Sequence, residues 1–350
     1  MDSSKATYTL AVGEVKEWLY TVLDHADSAQ HSEFLDVIST SQNPSSTGWS
    51  FLDTKTHKRI YVKHHSEDWM YRNEKDSLLL LSPYSNSTER YAVPQMIGWN
   101  DELKLIALNW LEGEPVDYKL GLAVSRRGTK KNFREGCKLT QDIGRWLHHF
   151  EKRTSSTQLE GFPSVEILQR IIELNKFISK TGLPGFNQLL ITSIEETVRH
   201  ELSLLKDKYE FCLVHRDFWF GHILKCKKNI VVMDYGRCTR GPKGRDAVQF
   251  YLKLGDLSMY NPMVSDSKVR ELQSEFIHGY GNIDFSAHHI FIYVILIQLE
   301  QLGGIVEQVY QDFVLRYKAK LYAHAKMRSI RRLMLNTRNN KNVTSIKLCE

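Results

Sequence analysis

The sequence has few cysteines, and their arrangement excludes two kinds of cross-link. Only five occur among 350 residues: Cys137, Cys212, Cys226, Cys238 and Cys349. Their number is odd and their spacing matches no zinc-binding pattern, so we predict neither a disulfide framework nor a structural zinc site. This cysteine usage is typical of a reducing compartment, and we expect a cytoplasmic protein.

The chain also lacks an apolar run long enough to cross a bilayer. In the most apolar window, residues 288–306, the unbroken run ends at Ile297 and is followed by Gln298 and Glu300. A spanning helix needs about 20 mainly apolar residues, so we predict a buried core helix here. The first residues show no basic start followed by an apolar run, so we expect no secretory signal there.

Charge of neither sign dominates the composition. Lysine and arginine number 47 against 41 acidic residues, a formal charge of +6 at pH 7. This mild excess favours anionic ligands such as phosphates, acidic glycans or lipid headgroups. No nucleic-acid-binding motif accompanies it, and nucleic acid is therefore not an expected partner.

The apolar pattern changes character near Gly113. Residues 12–39 have the spacing of one or two amphipathic helices, and residues 40–50 form a turn-rich loop. Residues 40–111 then predict the order strand–strand–helix–strand–strand, and the later chain is mostly helical apart from a strand–loop–hairpin at 211–235. The sequence therefore predicts an α+β fold with two lobes, a small β-rich N-lobe and a larger, mainly helical C-lobe.

One short stretch, "VHRDFWFGHIL" at 214–224, carries the strongest chemical signal. Phosphoryl transfer needs a carboxylate that takes the hydroxyl proton and residues that hold a metal ion. Asp217, with His215 two residues before it, provides the candidate catalytic pair. Asp234 follows the apolar run Ile230–Met233 and precedes Tyr235 and Gly236, which is typical of a strand that delivers a metal-binding aspartate.

The N-lobe offers candidates for the nucleotide side of the same reaction. Lys63 lies near the end of the predicted strand "KRIYVKHH", and Glu74 follows on a helix predicted over 67–81, where it can pair with the lysine. A turn before the lysine strand contains four residues suited to covering phosphates: Ser45, Ser46, Thr47 and Gly48. Taken alone, Lys63 also fits a surface lysine, Glu74 a solvent-facing glutamate, and the turn residues an ordinary turn. The order and spacing of the three features together favour a phosphotransferase.

The block "HRDFWFGHILKCKKNIVVMDYGRCTRGPKGRDAVQF" resembles the catalytic block of the aminoglycoside phosphotransferase and choline kinase group, which are relatives of protein kinases. The likeness runs from about residue 45 to 310, and "LNWLEGEPV" is similar to the hinge of that group. The resemblance implies a protein-kinase-like fold, ATP as phosphate donor, a magnesium or manganese ion, and adenine contacts near Asn109, Trp110 and Leu111. Asp246 matches a later aspartate that is more structural than catalytic.

His222 departs from this pattern, because the group carries asparagine there. The amide oxygen of asparagine is a good magnesium ligand. Imidazole is a poor magnesium ligand and is better suited to manganese, iron or zinc. Three functional interpretations stay open: His222 binds a softer metal with Asp234, it binds phosphate or substrate, or the second metal site is lost. A fourth is a buried histidine that only caps the loop.

The acceptor is less well defined. The loop histidine resembles that of the lipopolysaccharide-core heptose kinases, which implies a hydroxyl on a sugar or glycolipid. Three aromatic residues follow Asp217, and one is expected to stack on such a ring: Phe218, Trp219 or Phe220. The basic stretch 315–342 predicts either a helix packed on the large lobe or a peripheral contact with anionic lipid at the inner membrane face.

These observations predict four regions: a helical extension at 1–40, a nucleotide-binding N-lobe at 41–112, a C-lobe at 113–312 with the catalytic loop, metal site and acceptor site, and a basic helix and tail at 313–350.

We predict an ATP-dependent kinase of a small-molecule, sugar or glycan hydroxyl. The alternative is a catalytically inactive pseudokinase that acts as a binding or scaffold protein. A protein kinase is disfavoured because no activation segment with an Ala-Pro-Glu-like end follows Asp234.

Overall fold

The structure, a computed structural model, describes residues 10–23, 35–43, 45–85, 91–205, 208–227, 229–259, 261, 263–281, 283–311 and 315–339. The strands are β1 Leu35–Asn43, β2 Ser46–Asp53, β3 Lys58–His65, β4 Tyr91–Ala92, β5 Met96–Asn100, β6 Leu105–Asn109, β7 Gly113–Pro115, β8 Leu159–Gly161, β9 Lys208–Val214, β10 Ile223–Cys226, β11 Ile230–Val232 and β12 Thr239–Pro242. The helices are α1 Val12–Val22, α2 Asp68–Leu81, α3 Val116–Val124, α4 Lys130–Thr154, α5 Ser164–Ser179, α6 Gln188–Ser203, α7 Arg245–Met259, α8 Asp266–Tyr280, α9 His288–Gln311 and α10 Leu315–Asn339.

The chain forms two compact units, which confirms the predicted two-lobed α+β architecture. The small unit comprises Met1–Pro115 and His222–Cys238, and the large unit comprises Val116–Gly221 and Thr239–Glu350. The sequence had placed His222–Cys238 in the C-lobe. Its hairpin instead belongs to the small unit, because β10 pairs with β7 and β11 pairs with β4.

The small unit is built on an antiparallel sheet in the order β1-β2-β3-β6-β5. Alternate residues of its strands face one side, so Phe51, Ile60 and Val62 lie buried together. The amphipathic α1 covers this face with Val15 and Leu19, both fully buried. The helical spacing read from these residues is therefore confirmed.

Strand β1 corrects the prediction for residues 35–43. Residues 35–39, expected to lie in one of the one or two predicted helices, are strand, and residues 40–43 are strand, not loop. Within β1 only Leu35 is buried, while Val37 and Ile38 are exposed. A strand at the sheet edge takes its position from backbone pairing with β2, so its side chains carry little periodic signal.

The large unit is mainly helical, and its helices approach closely at glycines. A side chain on Gly144 of α4 would place its Cβ 2.4 Å from the Phe276 carbonyl oxygen of α8. Helix α9 contains the segment His288–Glu307, which is long and apolar enough to span a membrane, but 78% of its most apolar window is buried within the protein. The predicted buried core helix is therefore confirmed.

Helix α10 packs on the large unit through a buried ion pair. Lys326 Nζ lies 2.6 Å from Asp256 Oδ1, and the Tyr322 hydroxyl donates to Asp256 Oδ2 at 3.0 Å. The apolar side predicted to pack on the large lobe or to meet lipid includes Ala325, Met327 and Leu333, which are buried, so this side is used within the protein. Three of the predicted basic residues are exposed: Arg328, Arg331 and Arg332. The other predicted side chains lie outside those that the structure describes: Arg316, Lys318, Lys320, Leu321, Leu335, Arg338 and Lys341.

A buried carboxyl joins α4 to two other segments of the large unit. Glu151, only 1% exposed, accepts hydrogen bonds from the Tyr280 hydroxyl at 2.5 Å and from the Gly244 amide at 3.2 Å. Burial disfavours its charged form and raises its pKa to about 8, although these hydrogen bonds oppose the shift.

We predict that this residue makes folding stability depend on pH. Its carboxyl keeps a proton in the folded protein up to a pKa of about 8, against 4.5 for an unshifted glutamate. Below the lower value its contribution is fully present, and it is lost as pH rises towards the upper one, by at most about 1.4 kcal/mol per pH unit. The urea midpoint should fall across this interval, and Glu151→Gln, which stays neutral, should flatten the profile.

The matched control is Glu135→Gln, an exposed position on the same helix, which should keep the wild-type profile. An unchanged slope in Glu151→Gln would show that another group titrates.

Candidate active site

The small unit contains a buried lysine held by two carboxylates. Lys63 on β3 places its Nζ 2.8 Å from Glu74 Oε2 on α2 and 2.7 Å from Asp234 Oδ1, just after β11. The pairing of Lys63 with Glu74 is the one that the sequence indicated. The structure adds Asp234, which is 171 positions from Lys63, to the same cation. Strand β3, helix α2 and the segment after β11 therefore meet at one nitrogen.

Burial and charge act in opposite directions on this lysine. Burial alone would lower the pKa of Lys63, but the carboxylates of Glu74 and Asp234 outweigh it and hold the pKa above its usual range. For Glu74, burial raises the pKa, but the Lys63 ammonium and a hydrogen bond from His65 hold it below its usual value. The pair is therefore ionised in the folded protein.

His65 is a member of this cluster that the sequence analysis missed. It is fully buried, and its Nε2 lies 2.5 Å from Glu74 Oε2. It follows Lys63 by two residues on the same strand and therefore points to the same face. This i, i+2 relationship in "KHH" was the available signal.

The β10–β11 hairpin brings Asp234 next to His222. The His222 carbonyl accepts a hydrogen bond from the Met233 amide at 2.9 Å, and His222 Nε2 lies 3.6 Å from Asp234 Oδ2. Asp234 adopts a left-handed backbone with φ of 67°, a conformation that costs energy for a residue with a side chain. The hairpin thus directs both side chains to one place.

Among the described residues no group of three histidine, cysteine or acidic side chains is positioned to hold a metal ion. Asp234 and His222 form a pair. Two donors each about 2.1 Å from one ion lie at most about 4.2 Å apart, and the observed 3.6 Å separation falls within this limit. Divalent ions in such sites commonly use one or two protein ligands together with substrate phosphates and water, so the pair fits a nucleotide-bound metal.

The predicted phosphate loop is mostly strand. Ser46, Thr47 and Gly48 begin β2, which pairs with β1 and β3 on its two sides, and only Ser45 lies in the turn. Gly48 stands opposite Lys63 in the register, so the predicted proximity to the lysine holds. The backbone donors of these three residues are largely used by the sheet, which corrects their assignment to a free loop.

The three predicted adenine-contact positions differ in their available backbone groups. The Asn109 amide donates to the Gln95 carbonyl at 2.9 Å, and the Trp110 amide donates to the Arg59 carbonyl at 3.2 Å. Within the described chain, the structure records no hydrogen bond for the Leu111 amide. Leu111 is therefore the best placed of the three to donate to a base, and Asn109 and Trp110 are weaker candidates.

The large unit holds the His-Arg-Asp loop through one buried carboxylate. Asp246 accepts hydrogen bonds from the amides of His215 at 2.5 Å and Arg216 at 2.9 Å. Arg216 is held in a left-handed conformation with φ of 62°. His215 is fully buried, and its Nδ1 accepts from the Asp217 amide at 3.3 Å. His215 therefore positions Asp217, which corrects its assignment as a catalytic residue.

The three aromatic residues of the loop have different environments. Phe218 is fully buried, with its ring centroid 5.7 Å from Trp146 and 5.4 Å from Phe250. Trp219 is half-buried, and the Lys253 ammonium lies over its ring at 5.8 Å from the centroid. Phe218 is thus a core residue and is unavailable for stacking on a substrate.

No protein-family model and no curated protein sequence matches this chain. Solved structures do match over nearly its whole length. The Plasmodium vivax ethanolamine kinase superposes with a TM-score of 0.60 at 12% identity, covering 94% of each chain. An amicoumacin kinase solved with AMP-PNP and Ca²⁺ gives 0.55 at 14% identity, covering 97% of this chain and 99% of that one. An aminoglycoside phosphotransferase gives 0.52 at 14% identity, covering 92% and 99%.

These likenesses show the class of fold, a two-lobed α+β fold that small-molecule kinases also have. In fold, the chain is similar to the aminoglycoside phosphotransferases and the choline and ethanolamine kinases, as the catalytic block indicated. The resemblance stated from the sequence is confirmed at the level of fold.

We predict that Glu74→Gln destabilises the protein by about 3 kcal/mol. Removing one partner of a buried ion pair costs about 3–5 kcal/mol, and the retained Asp234 keeps the loss at the lower end. The measurement is the free energy of urea unfolding at pH 7.

Asp76→Asn is the matched control, because Asp76 is an exposed acid on the same helix and should change stability by less than about 0.5 kcal/mol. Equal stabilities for the two variants would mean that Glu74 does not offset the burial of Lys63.

Proposed function

We propose that the protein is an ATP-dependent phosphotransferase that phosphorylates a hydroxyl group of a small molecule. The observation that carries this proposal is the buried Lys63, held by Glu74 at 2.8 Å and by Asp234 at 2.7 Å. A buried, charged lysine beside a carboxylate on a strand end is costly to maintain, and phosphoryl transfer uses both groups. The fold shared with small-molecule kinases supports the same reaction class.

Each role that phosphoryl transfer requires has a candidate residue in this chain. Lys63 contacts the ATP phosphates, and Glu74 fixes its position. Asp217 accepts or orients the proton of the acceptor hydroxyl, whose oxygen bonds to the γ-phosphorus as the bond to the leaving ADP oxygen breaks. Asp234 and His222 would hold the divalent cation, magnesium or manganese, which neutralises the charge that develops on the phosphates.

We further propose a sugar or glycan hydroxyl as the acceptor and the cytoplasm as the location. The short likeness of the loop to heptose kinases and the net charge of +6 support a neutral or anionic acceptor. The described cysteines Cys137, Cys212, Cys226 and Cys238 form no disulfide among themselves, in keeping with a reducing compartment. The burial of the apolar side of α10 leaves no support for a membrane contact.

His222 supports a second candidate, a binding protein with a kinase fold and no catalysis. Imidazole replaces the amide oxygen that suits magnesium, and the contact of His222 with Asp234 at 3.6 Å would also serve a structural pair. The ionised Lys63–Glu74–Asp234 cluster favours the active enzyme, because loss of catalysis would remove the need for a buried cation.

Nucleotide binding is the first prediction that separates the two candidates. Bound at about 100 times its dissociation constant, ATP with a metal ion should stabilise the folded protein by about 2.7 kcal/mol and raise Tm by a few degrees. Thermal unfolding would be compared with ATP and Mg²⁺, ATP and Mn²⁺, and ATP with chelator. A larger shift with Mn²⁺ that is lost in His222→Ala would support His222 as a ligand, whereas no shift in any condition favours the binding protein.

Turnover provides the second prediction. Loss of the Asp217 carboxylate in Asp217→Asn should lower ATP turnover by about 10²–10⁴-fold, the usual contribution of a positioned base, while nucleotide binding is retained. ADP release would be measured with and without a panel of sugar acceptors. Glu271→Gln, an exposed acid of the large unit, is the matched control, and full turnover in Asp217→Asn would exclude this mechanism.

A further inference from the structure

Lys253 on α7 contacts Trp219 of the catalytic loop, and among the described residues no carboxylate pairs with it. Its ammonium lies over the Trp219 ring at 5.8 Å from the centroid, within the distance of a cation–π contact. For the described residues, the interactions recorded for Lys253 are this aromatic contact and a charge repulsion with the Lys326 ammonium, and no ion pair accompanies them.

The nearest acid on the same helix is already engaged. Asp256 follows Lys253 by three residues, a spacing at which side chains of a helix meet. Its two oxygens instead bind Lys326 at 2.6 Å and the Tyr322 hydroxyl at 3.0 Å, both on α10. Docking of α10 therefore takes the carboxylate that could have paired with Lys253 and leaves a positive charge at this position.

The catalytic loop brings the Lys253 ammonium near Asp217, the proposed reacting group. Trp219 follows Asp217 by two residues, so their Cα atoms are at most about 7 Å apart. The indole is itself fixed in position, because Phe220 packs against it edge-on at 5.6 Å and a side chain on Gly221 would collide with it at 2.4 Å. All these residues belong to the large unit.

From this arrangement, and resting on the proposed phosphotransferase function, we propose that Lys253, held in place by Trp219, selects an acceptor that carries a negatively charged group. An ammonium attracts a carboxylate or phosphate and repels an amine. Lysine binds such groups as a compact charge with three donors. Lys253 is thus a specificity-determining residue, and Trp219 is its positioning partner.

The selected class differs from the acceptors named for two proteins of similar fold. One is the ethanolamine kinase described above, and the other is a glucosamine kinase solved with glucosamine; ethanolamine and glucosamine are both amines. A site with an uncompensated lysine beside the catalytic loop disfavours such cations. The fold is shared, and the charge at this one position is what we expect to separate the acceptor classes.

The test measures sugar binding at Trp219 directly and needs no turnover. The protein contains seven tryptophans; it would be labelled with 5-fluorotryptophan, and the ¹⁹F signal of Trp219 identified by its loss in Trp219→Phe. The probes are methyl glucoside, glucosamine, glucuronate and glucose 6-phosphate, titrated separately at pH 6.5 without nucleotide. They share one ring and differ in charge, and the last two distinguish a carboxylate from a phosphate.

We expect at least one anionic sugar to shift the Trp219 signal at a concentration about tenfold lower than glucosamine does, the effect of one charge-assisted hydrogen bond. Lys253→Met should abolish this preference, and Lys253→Arg should restore it. Lys138→Met, which removes an exposed lysine from the same unit, should leave it unchanged.

The proposal is overturned if glucosamine binds as tightly as the anionic sugars, if no sugar shifts the signal, or if Lys253→Met keeps the preference. Failure of the phosphotransferase function would appear elsewhere, as an absence of ATP turnover with the Trp219 response intact. The two outcomes are therefore distinguishable.

Discussion

The small unit depends on one buried cation. Placing an ammonium away from water costs several kcal/mol unless charges of opposite sign surround it, and Lys63 is compensated by Glu74 and Asp234 together. The residues of the Lys63–Asp234 contact are 171 positions apart. The requirement to neutralise a single nitrogen therefore fixes the relative positions of β3, α2 and the segment after β11.

The large unit contains a buried carboxyl, Asp246, that is likewise stabilised by groups around it. Asp246 receives two backbone amides of the His-Arg-Asp loop, at 2.5 and 2.9 Å. Burial raises the pKa of Asp246, while His215, Arg245 and these two hydrogen bonds oppose the shift. The loop is held by its backbone, and these two hydrogen bonds fix the chain immediately before Asp217. The resemblance had indicated a structural role for Asp246, and its contacts show how that role is performed.

How much was predictable depended on whether a feature leaves a periodic or a local signal. The helix α1, the strands β2 and β3 and the pairing of Lys63 with Glu74 follow from apolar spacing and from the order of elements. Strand β1 did not, because Leu35 is buried and residues 36–42 are exposed, which gives no alternation.

Contacts that depend on tertiary pairing were also hidden. The sequence could not show that residues 222–238 join the small unit, since β11 and β4 pair across more than a hundred residues. His65 was missed although it stands two residues from Lys63, because a histidine on a strand has no distinctive pattern. Likewise, the three aromatic residues of the loop look equivalent in sequence, and only packing separates the core Phe218 from Trp219.

Two residues near the proposed chemistry, Arg216 and Asp234, adopt left-handed backbone conformations, with φ of 62° and 67°. Such conformations cost roughly 1–2 kcal/mol each, a cost that glycine would avoid. Arg216 immediately precedes Asp217, and Asp234 stands at the proposed metal-binding position itself. At position 234, selection for thermal tolerance alone would favour glycine, whereas selection for turnover would retain aspartate, so laboratory evolution of this chain should meet opposing pressures at that codon.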